Sequence, residues 1–180
     1  MAMGIGALGA PNIIIKRKFR WSLAISTPCG NIPASYCKLA ARPNLEVEDV
    51  ELNFLNATTW IPGKAKWQPI SITYIDVANQ DMQGLYNWMA SVYGFQWPVA
   101  LPQGEKASWN GTALLTMYDG CGSIIESWLL GSVFPTSINF GDLDYSSSDP
   151  ATIELTLRYS DVQYFGGCGL TAPAYCCRGC

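Results

Sequence analysis

One segment of the sequence alternates apolar and polar residues without interruption, and it limits the possible folds more than any other feature. From Thr152 to Tyr159 every second residue is apolar, and the residues between them are polar. Successive side chains of an extended chain point to opposite faces of a sheet. The segment therefore predicts a β-strand with one buried face and one solvated face, as in an antiparallel sheet.

The residues before this strand predict a second strand that changes direction. Leu129, Gly131 and Pro135 bracket a corner, because glycine tolerates unusual dihedral angles and proline removes a hydrogen-bond donor from the ladder. Residues 139–150 are rich in Asn, Asp, Ser and Gly, the composition of turns and loops. We expect residues 128–162 to form a strand, a corner, a strand, a long polar loop and a further strand, and the rest of the fold to be arranged around them.

Two more strands are predicted in the first third of the chain. Residues 19–26 alternate cleanly and predict the first strand. Residues 45–55 also alternate, but the apolar positions change from odd to even numbers between Val47 and Val50. A strand changes faces only by inserting an extra residue, so we predict a β-bulge near Glu48 and Asp49. Residues 56–66, which contain Pro-Gly, are interpreted as the hairpin tip.

The remaining elements complete a mainly β fold with one helix. Asn79 is predicted to cap a helix that continues with apolar residues three and four apart and stops at Gly94. Residues 70–74, 112–118 and 124–130 predict strands, with turns at Asn110-Gly111 and at 119–122, and residues 95–106 a loop. The total is seven or eight strands, arranged as a β-barrel or two packed antiparallel sheets, with the helix against the barrel side.

The composition favours a protein that buries surface against partners. Apolar residues make up 49% of the chain and charged residues only 14%, against an average of about 25% charged. With so few charges the chain exposes apolar surface or covers it in an obligate assembly. A compact monomer with a Ser-, Thr- and Gln-rich surface is the alternative.

Charge is distributed unevenly along the sequence. Residues 1–66 contain eight of the eleven basic residues and four acids, whereas residues 67–165 contain ten acids and two basic residues. If these regions lie at opposite ends of the fold, identical subunits attract one another head to tail and stack. Scatter of the same charges over one surface is the alternative. The basic cluster at 16–20 is interpreted as a solvated strand entrance rather than a nucleic-acid site.

The residue types argue against catalysis and against a bound metal or cofactor. Histidine is absent, which removes the commonest general base and the commonest zinc ligand. The aspartates at 142, 144 and 149 lie in one loop but lack the D-x-D-x-D-G spacing of a calcium site. We therefore predict neither an enzyme nor a cofactor.

The two ends of the sequence differ from the central region. Residues 1–18 are predicted to form an N-terminal arm, residues 19–165 the β-barrel domain and residues 166–180 a Cys- and Gly-rich extension. The arm lacks the order of charges of a signal peptide, and no apolar run is long enough to span a membrane. Zinc-ligand spacing occurs only once in the extension, so disulfides, within or between subunits, and inert thiols are both open. The candidate bridging residues are Cys29, Cys37, Cys168, Cys176, Cys177 and Cys180.

Two segments resemble a known family. The run GSVFPTSINFGDLDYSSSDP at 131–150, followed by IELTLRY at 153–159, is similar to the C-terminal signature of tail tube proteins of contractile-tailed bacteriophages. Upstream, IPGKAKWQPISITYID at 61–76 and LYNWM at 85–89 resemble the central segment of the same family, in the same order. The resemblance covers about residues 19–164 and extends to Hcp, the ring-forming secretion-tube protein.

The resemblance implies a structural role. Subunits would join into a larger ring-shaped β-barrel, and hexameric rings would stack helically into the inner tail tube through which DNA passes. Implied partners are other copies, the sheath, an internal tape-measure protein, the baseplate, the tail terminator and non-specifically contacted double-stranded DNA. The implied location of the protein is the tail of the virion, which is assembled in the host cytoplasm. A phage-derived injection device and a tube-initiating ring are the related alternatives.

The resemblance also implies sites. A long hairpin would reach the next subunit or ring, and its candidate contact residues are Trp60, Ile61, Pro62, Gly63 and Lys64. An acidic wall would let DNA slide, because each neutralised phosphate strengthens binding. The candidate lumen-facing residues are Glu46, Glu48, Glu154, Thr156 and Arg158.

A β-sandwich that binds carbohydrate is the alternative from another class. Trp60, Trp67, Trp97 and Trp109 lie near predicted loops, where they could stack on sugar rings. The state of assembly separates the two functions. A sugar-binding module stays monomeric or forms small oligomers, whereas a tube protein forms rings or rods.

Overall fold

A computed structural model describes residues 16–93 and 109–166. The order of elements is β1 Trp21–Thr27, β2 Gly30–Ile32, a short 3-10 helix Ala34–Tyr36, β3 Cys37–Ala40, β4 Leu45–Phe54, β5 Ala57–Trp67, β6 Ile70–Ile75, α1 Gln80–Tyr93, β7 Gly111–Tyr118, β8 Ile124–Asn139, β9 Thr152–Arg158 and β10 Asp161–Gly166. The predicted stop at Gly94, the loop at 95–106 and most of both predicted terminal segments lie outside the described residues.

Eight strands form one antiparallel sheet. Its order is β2-β1-β7-β8-β9-β6-β3, and β10 also pairs with β8. The predicted mainly β architecture of antiparallel sheets with a helix is confirmed. The described residues contain ten strands rather than the seven or eight expected. The short β2 and β3 lie in residues 27–44, whose three prolines predict a loop or a loop holding a short strand, and β10 is a further strand.

The long strand β8 connects the two halves of this sheet. Its first part pairs with β7 and β10, and its second part, from Phe134 to Asn139, pairs with β9. Between them Ser132 has a φ of 54° and the register shifts near Pro135. The corner predicted between Leu129 and Pro135 is therefore present, although the chain stays in one strand as it bends from one half to the other.

The core lies on the apolar face of β9 and its neighbours. Ile153, Leu155 and Leu157 are buried, and β9 pairs with β6, whose Ile72 and Tyr74 are also buried. Burying one such side chain contributes about 1.5–3 kcal/mol relative to leaving it exposed. The alternation predicted for residues 152–159 is confirmed.

Helix α1 packs its apolar stripe into this core. The carboxamide Oδ1 of Asn79 accepts a hydrogen bond of 3.0 Å from the Met82 backbone N–H, which confirms the predicted N-cap. Leu85 and Trp88 are fully buried. The Trp88 indole N–H donates to the backbone carbonyl of Trp109 at 2.7 Å, which fixes the helix to the start of β7.

Strands β4 and β5 form a separate two-stranded sheet. The register shifts between Val47 and Asp49, so the pairing is irregular at the predicted place. The pairs Val47–Ala65 and Asp49–Pro62 put the extra residue in β5 rather than in β4, so the predicted change of faces along β4 is wrong. The predicted tip is wrong: Phe54 pairs with Ala57, the turn lies at Leu55 and Asn56, and residues 57–67 form a strand. Leu55 turns the chain with a φ of 52°, a function that the sequence assigned to Pro-Gly.

No helix in the described part of the chain is both long and apolar enough to cross a membrane.

Candidate assembly surfaces

The β4–β5 hairpin presents an apolar face that the described residues do not cover. Cross-strand partners lie on the same face of a two-stranded sheet, and beyond the register shift Val50 pairs with Ile61 and Leu52 with Thr59. The large side chains of this hairpin apolar face are between 44% and 75% exposed: Val50, Leu52, Phe54 and Ile61. An isolated hairpin in water is marginally stable, so this face requires a partner.

The opposite face of the outer half of the hairpin is polar. Glu51, which pairs with Trp60, and Asn53, which pairs with Thr58, lie there and are exposed. Before the register shift Glu46 pairs with Lys66, and its carboxylate also accepts a hydrogen bond from the Gln68 side chain. From Asp49 to Phe54 the two faces thus separate the apolar side chains of β4 from its polar ones.

The predicted contact residues lie in the middle of β5 rather than at a tip. Trp60, Ile61, Pro62, Gly63 and Lys64 are all exposed. A Cβ added at Gly63 would lie 3.0 Å from the Glu48 carbonyl oxygen and 3.2 Å from a Val50 methyl group. Glycine therefore permits the close approach of the two strands beside the bulge. The predicted role of these five residues in contacts between subunits stays a prediction.

The predicted lumen-facing residues lie in two separate places. Glu46 and Glu48 belong to the hairpin, whereas Glu154, Thr156 and Arg158 lie on the solvated face of β9. The structure therefore does not bring the two groups onto one sheet, and which of them faces a channel stays a prediction.

The solvated face of β9 continues across both neighbouring strands. Thr156 lies between Ser71 of β6 and Ser137 of β8, and Glu154 lies between Thr73 and Asn139. We call these six residues with Arg158 the polar sheet face. The hydroxyl and amide residues of β6 and β8 were not predicted as site residues, although Ser71 and Thr73 alternate with apolar residues in the sequence.

A groove lined by cations opens beside the edge strand β3. It has a volume of about 540 Å³, and Lys16, Lys18, Lys38 and Arg42 lie around an apolar floor that includes Trp21. We call it the cationic groove. Lys38 and Arg42 are far from the 16–20 cluster in sequence, so the cluster alone did not reveal it.

A buried carboxylate anchors two of these cations. The Glu126 side chain is fully buried and forms ion pairs with Lys16 and Arg42, and it accepts a hydrogen bond from the Trp128 indole N–H. Burial raises the pKa of Glu126, but the hydrogen bonds from Lys16, Trp128 and Arg42 hold it below its ordinary value. Among the described residues these are the ion pairs present, so Lys18 and Lys38 are not neutralised by an acid.

The candidate disulfide residues within the described ranges are thiols. Cys29 is exposed and Cys37 is partly buried. Burial raises the pKa of the Cys37 thiol to about 12, although hydrogen bonding with the Leu39 backbone and the Tyr74 side chain opposes the shift. Because the thiolate is the reactive form, Cys37 is a poor partner for exchange at neutral pH. Cys168, Cys176, Cys177 and Cys180 lie outside the described residues, so the predicted bridges stay predictions.

Two of the candidate sugar-stacking tryptophans pack against other aromatic rings. Trp67 packs against Tyr159 and Trp109 against Phe134, with ring centroids 6.2 Å and 5.3 Å apart, so both are engaged within the fold. Trp60 is 59% exposed, and Trp97 lies outside the described residues. Within residues 16–93 and 109–166, no three His, Cys, Asp or Glu side chains are grouped so as to hold a metal ion.

No protein-family model matches this sequence, and no curated protein matches it in sequence. Solved structures do match its fold. A chain of the sheath–tube complex of an extracellular contractile injection system, PVC, in the extended state superposes with a TM-score of 0.64 at 16% identity, covering 92% of this chain and 100% of that one. A chain of the tube-terminating cap of the anti-feeding prophage gives 0.67 at 17% identity, with coverage of 92% and 100%. A chain of the anti-feeding prophage baseplate gives 0.63 at 12% identity, with coverage of 86% and 97%.

The chain therefore has the fold of tube proteins of contractile injection systems. This finding confirms, at the level of fold, the resemblance carried by residues 61–76 and 131–159.

Proposed function

We propose that copies of this chain join into hexameric rings that stack into the inner tube of a contractile phage tail or of a phage-derived injection particle. The role is structural and requires no chemistry. The observation that carries the proposal is the hairpin apolar face, which is exposed along β4 from Val50 to Phe54. A ring of copies covers such a face and pairs the open sheet edges, whereas a monomer leaves both in water.

The hairpin tip supports this assignment. Leu55 holds a left-handed φ of 52° and is 91% exposed. Asparagine or glycine would adopt this conformation at lower cost. A leucine in a strained, solvent-exposed turn is explained by an apolar contact on a neighbouring copy.

The polar sheet face supports a channel wall. Apart from Glu154 and Arg158, its residues are neutral hydroxyl and amide side chains. A wall with few cations binds phosphates weakly, because non-specific affinity for DNA depends on the number of phosphates neutralised. We assign this face to the lumen, with passing double-stranded DNA and a tape-measure protein as its contents in a phage tail.

The remaining partners follow from the particles in which the same fold occurs. The matched chains come from a sheath–tube complex, a tube-terminating cap and a baseplate. We propose a sheath protein outside the tube, a baseplate at one end and a terminator at the other. The corresponding location is the tail of a virion or a virion-like particle.

Electron microscopy of the purified full-length protein in negative stain tests the proposal. We expect rings or rods from the wild type and dispersed monomers from Leu52→Asp, because a charge on the hairpin apolar face opposes its burial. Asn53→Asp is the matched control, since Asn53 lies next in the same strand on the opposite face and its Oδ1 accepts from Thr58 at 2.9 Å. A wild type that stays monomeric at high concentration would refute the tube.

A further inference from the structure

The cationic groove has the features of a docking site for an acidic, apolar segment. Leu39, on its edge strand β3, is 61% exposed, and Lys18 and Lys38 have no acidic partner among the described residues. Strand β3 ends the sheet order, so one of its edges has no partner among the described strands. A ligand that covers the floor and also supplies negative charge would satisfy both the apolar surface and the lysines.

The loop between β8 and β9 has the complementary chemistry. Leu143 is 89% exposed and Tyr145 is fully exposed. Residues 140–151 contain three aspartates and no basic residue. We call this segment the acidic loop.

Hydrogen bonds within the acidic loop hold it in one shape. The Asp144 carboxylate accepts from the Ser146 backbone N–H at 2.9 Å and from the Ser146 hydroxyl at 2.7 Å. The Asn139 side chain accepts from the Gly141 N–H at 3.1 Å. An ordered loop loses less conformational entropy on docking than a flexible one.

The acidic loop and the cationic groove lie toward opposite ends of one half of the sheet. The loop leads into β9 at Thr152, beside Ile75 at the end of β6, and the Asp76 N–H donates to the Ala151 carbonyl. The groove residue Arg42 directly follows Ala41, whose N–H donates to the Ser71 carbonyl near the other end of β6. This placement suits a head-to-tail contact, in which the loop of one copy meets the groove of the next.

We propose that the acidic loop of one copy docks in the cationic groove of a copy in the adjacent ring. Leu143 and Tyr145 cover the apolar floor, and the aspartates of the loop face Lys18 and Lys38. The contact presupposes the proposed tube and specifies what holds its rings together.

The acidic residues of β4 fit the groove less well. On that strand Asp49 and Glu51 lie on one face and the apolar Val50 and Leu52 on the other, so an apolar floor and its cationic rim cannot meet both. The irregular backbone of the acidic loop does not impose this separation. The hairpin is therefore the competing occupant that the experiment must distinguish.

Charge reversal and rescue in the full-length protein test the docking. We expect Lys18→Glu with Lys38→Glu, and separately Asp142→Lys with Asp149→Lys, to reduce rod formation by about tenfold at low salt while leaving single rings intact. Combining all four substitutions should restore rods to within about twofold of the wild type. Asp144 is left unchanged because it orders the loop. Urea unfolding of each dispersed variant checks that the fold is retained.

Two outcomes would overturn the docking alone. The first is wild-type rods with either double variant stacking as well as the wild type. The second is rescue of the groove variant by Glu46→Lys with Glu48→Lys instead of by the loop variant. A wild type that forms neither rings nor rods would overturn the docking together with the tube. Leu143→Ser with Tyr145→Ser should weaken stacking at high salt as well, since screening does not remove an apolar contact.

Discussion

Strands β9 and β4 have the same kind of sequence and opposite surroundings. Both alternate apolar and polar residues, and both pair with an antiparallel neighbour along their length. In β9 the apolar face is fully buried, with Leu157 at 0% exposure, whereas in β4 the matching Leu52 is 46% exposed. The difference arises because β9 lies in a sheet of eight strands that shares a core with α1, whereas β4 pairs with β5 alone among the described strands.

The comparison separates two kinds of information in an alternating pattern. The pattern determines that a segment is a strand and which face is apolar. It does not determine whether that face is covered by the same chain or by another copy. In β9 the apolar face stabilises the subunit, and in β4 we propose that it stabilises the assembly.

Truncating one leucine on β9 and one on β4 should give the largest difference in the free energy of unfolding. We expect Leu157→Ala to lower the free energy of unfolding of the dispersed subunit by about 2–5 kcal/mol, because it leaves a cavity in the core. Leu52→Ala should change it by less than about 0.5 kcal/mol. Urea denaturation below the assembly concentration measures both. Equal losses would show that the hairpin is covered within the subunit.

One buried and one exposed carboxylate should show the same contrast between core and hairpin, with a smaller difference in the free energy of unfolding. We expect Glu126→Gln to lower the free energy of unfolding by about 1.5–3 kcal/mol, the range for hydrogen bonds to a charged group. Glu51 is exposed, so Glu51→Gln should leave the free energy of unfolding almost unchanged.

The pH dependence of Glu126 follows from the sign of its pKa shift. A carboxyl whose pKa is lower in the folded chain contributes stability above its unfolded value, 4.5, and loses that stability as the pH falls through the folded value. The gap between wild type and Glu126→Gln should therefore be largest near neutral pH and shrink below about pH 4.5. Urea midpoints across this range measure it, and a constant gap would rule out the ion pairs as its cause.

Removing the N-cap of α1 should lower the stability of the subunit moderately. Asn79→Ala deletes the acceptor of the Met82 N–H, and we expect a loss of about 1 kcal/mol, in the range of 0.5–2 for caps. Asn79→Asp keeps the acceptor and should retain most of the stability that Asn79→Ala loses. Thermal unfolding of the dispersed subunit compares the three. An equal loss in both variants would assign the effect to the bond from Asn79 to Tyr36.

The smallest effect on the subunit is expected at the hairpin tip. Leu55→Asn suits the left-handed turn and should change the free energy of unfolding by less than about 0.5 kcal/mol. It should nevertheless lower assembly, because it removes an exposed apolar side chain. Sedimentation of rods at matched concentrations measures this, with Asn56→Ser as the neighbouring control. Unchanged assembly would mean that the tip contacts no other copy.

The elements that the sequence predicts well are those whose pattern is local. The strand at Thr152–Arg158 and the cap at Asn79 follow from periodicity and capping chemistry within a few residues. The irregular pairing near Asp49 coincides with a parity change in the sequence, although the extra residue lies in β5. Each of these signals is contained in its own segment.

The features that the sequence misses depend on distant residues. Leucine rarely adopts a positive φ, so the residue type at Leu55 does not predict the turn there. The cationic groove joins Lys18 to Lys38 and Arg42 only once β1 and β3 are in place. Likewise, nothing near Glu126 in the sequence indicates that Lys16 is its partner.

The shared strand β8 has a consequence for how the subunit opens. Its sixteen residues hydrogen-bond to β7 and β10 in one half and to β9 in the other, so one continuous strand joins the ladders of both halves. Backbone amides of β7 and β9 should then exchange with solvent deuterium at similar rates, through one common opening of the whole sheet. A conduit built from such subunits would yield as entire subunits under load, rather than by peeling one layer at a time.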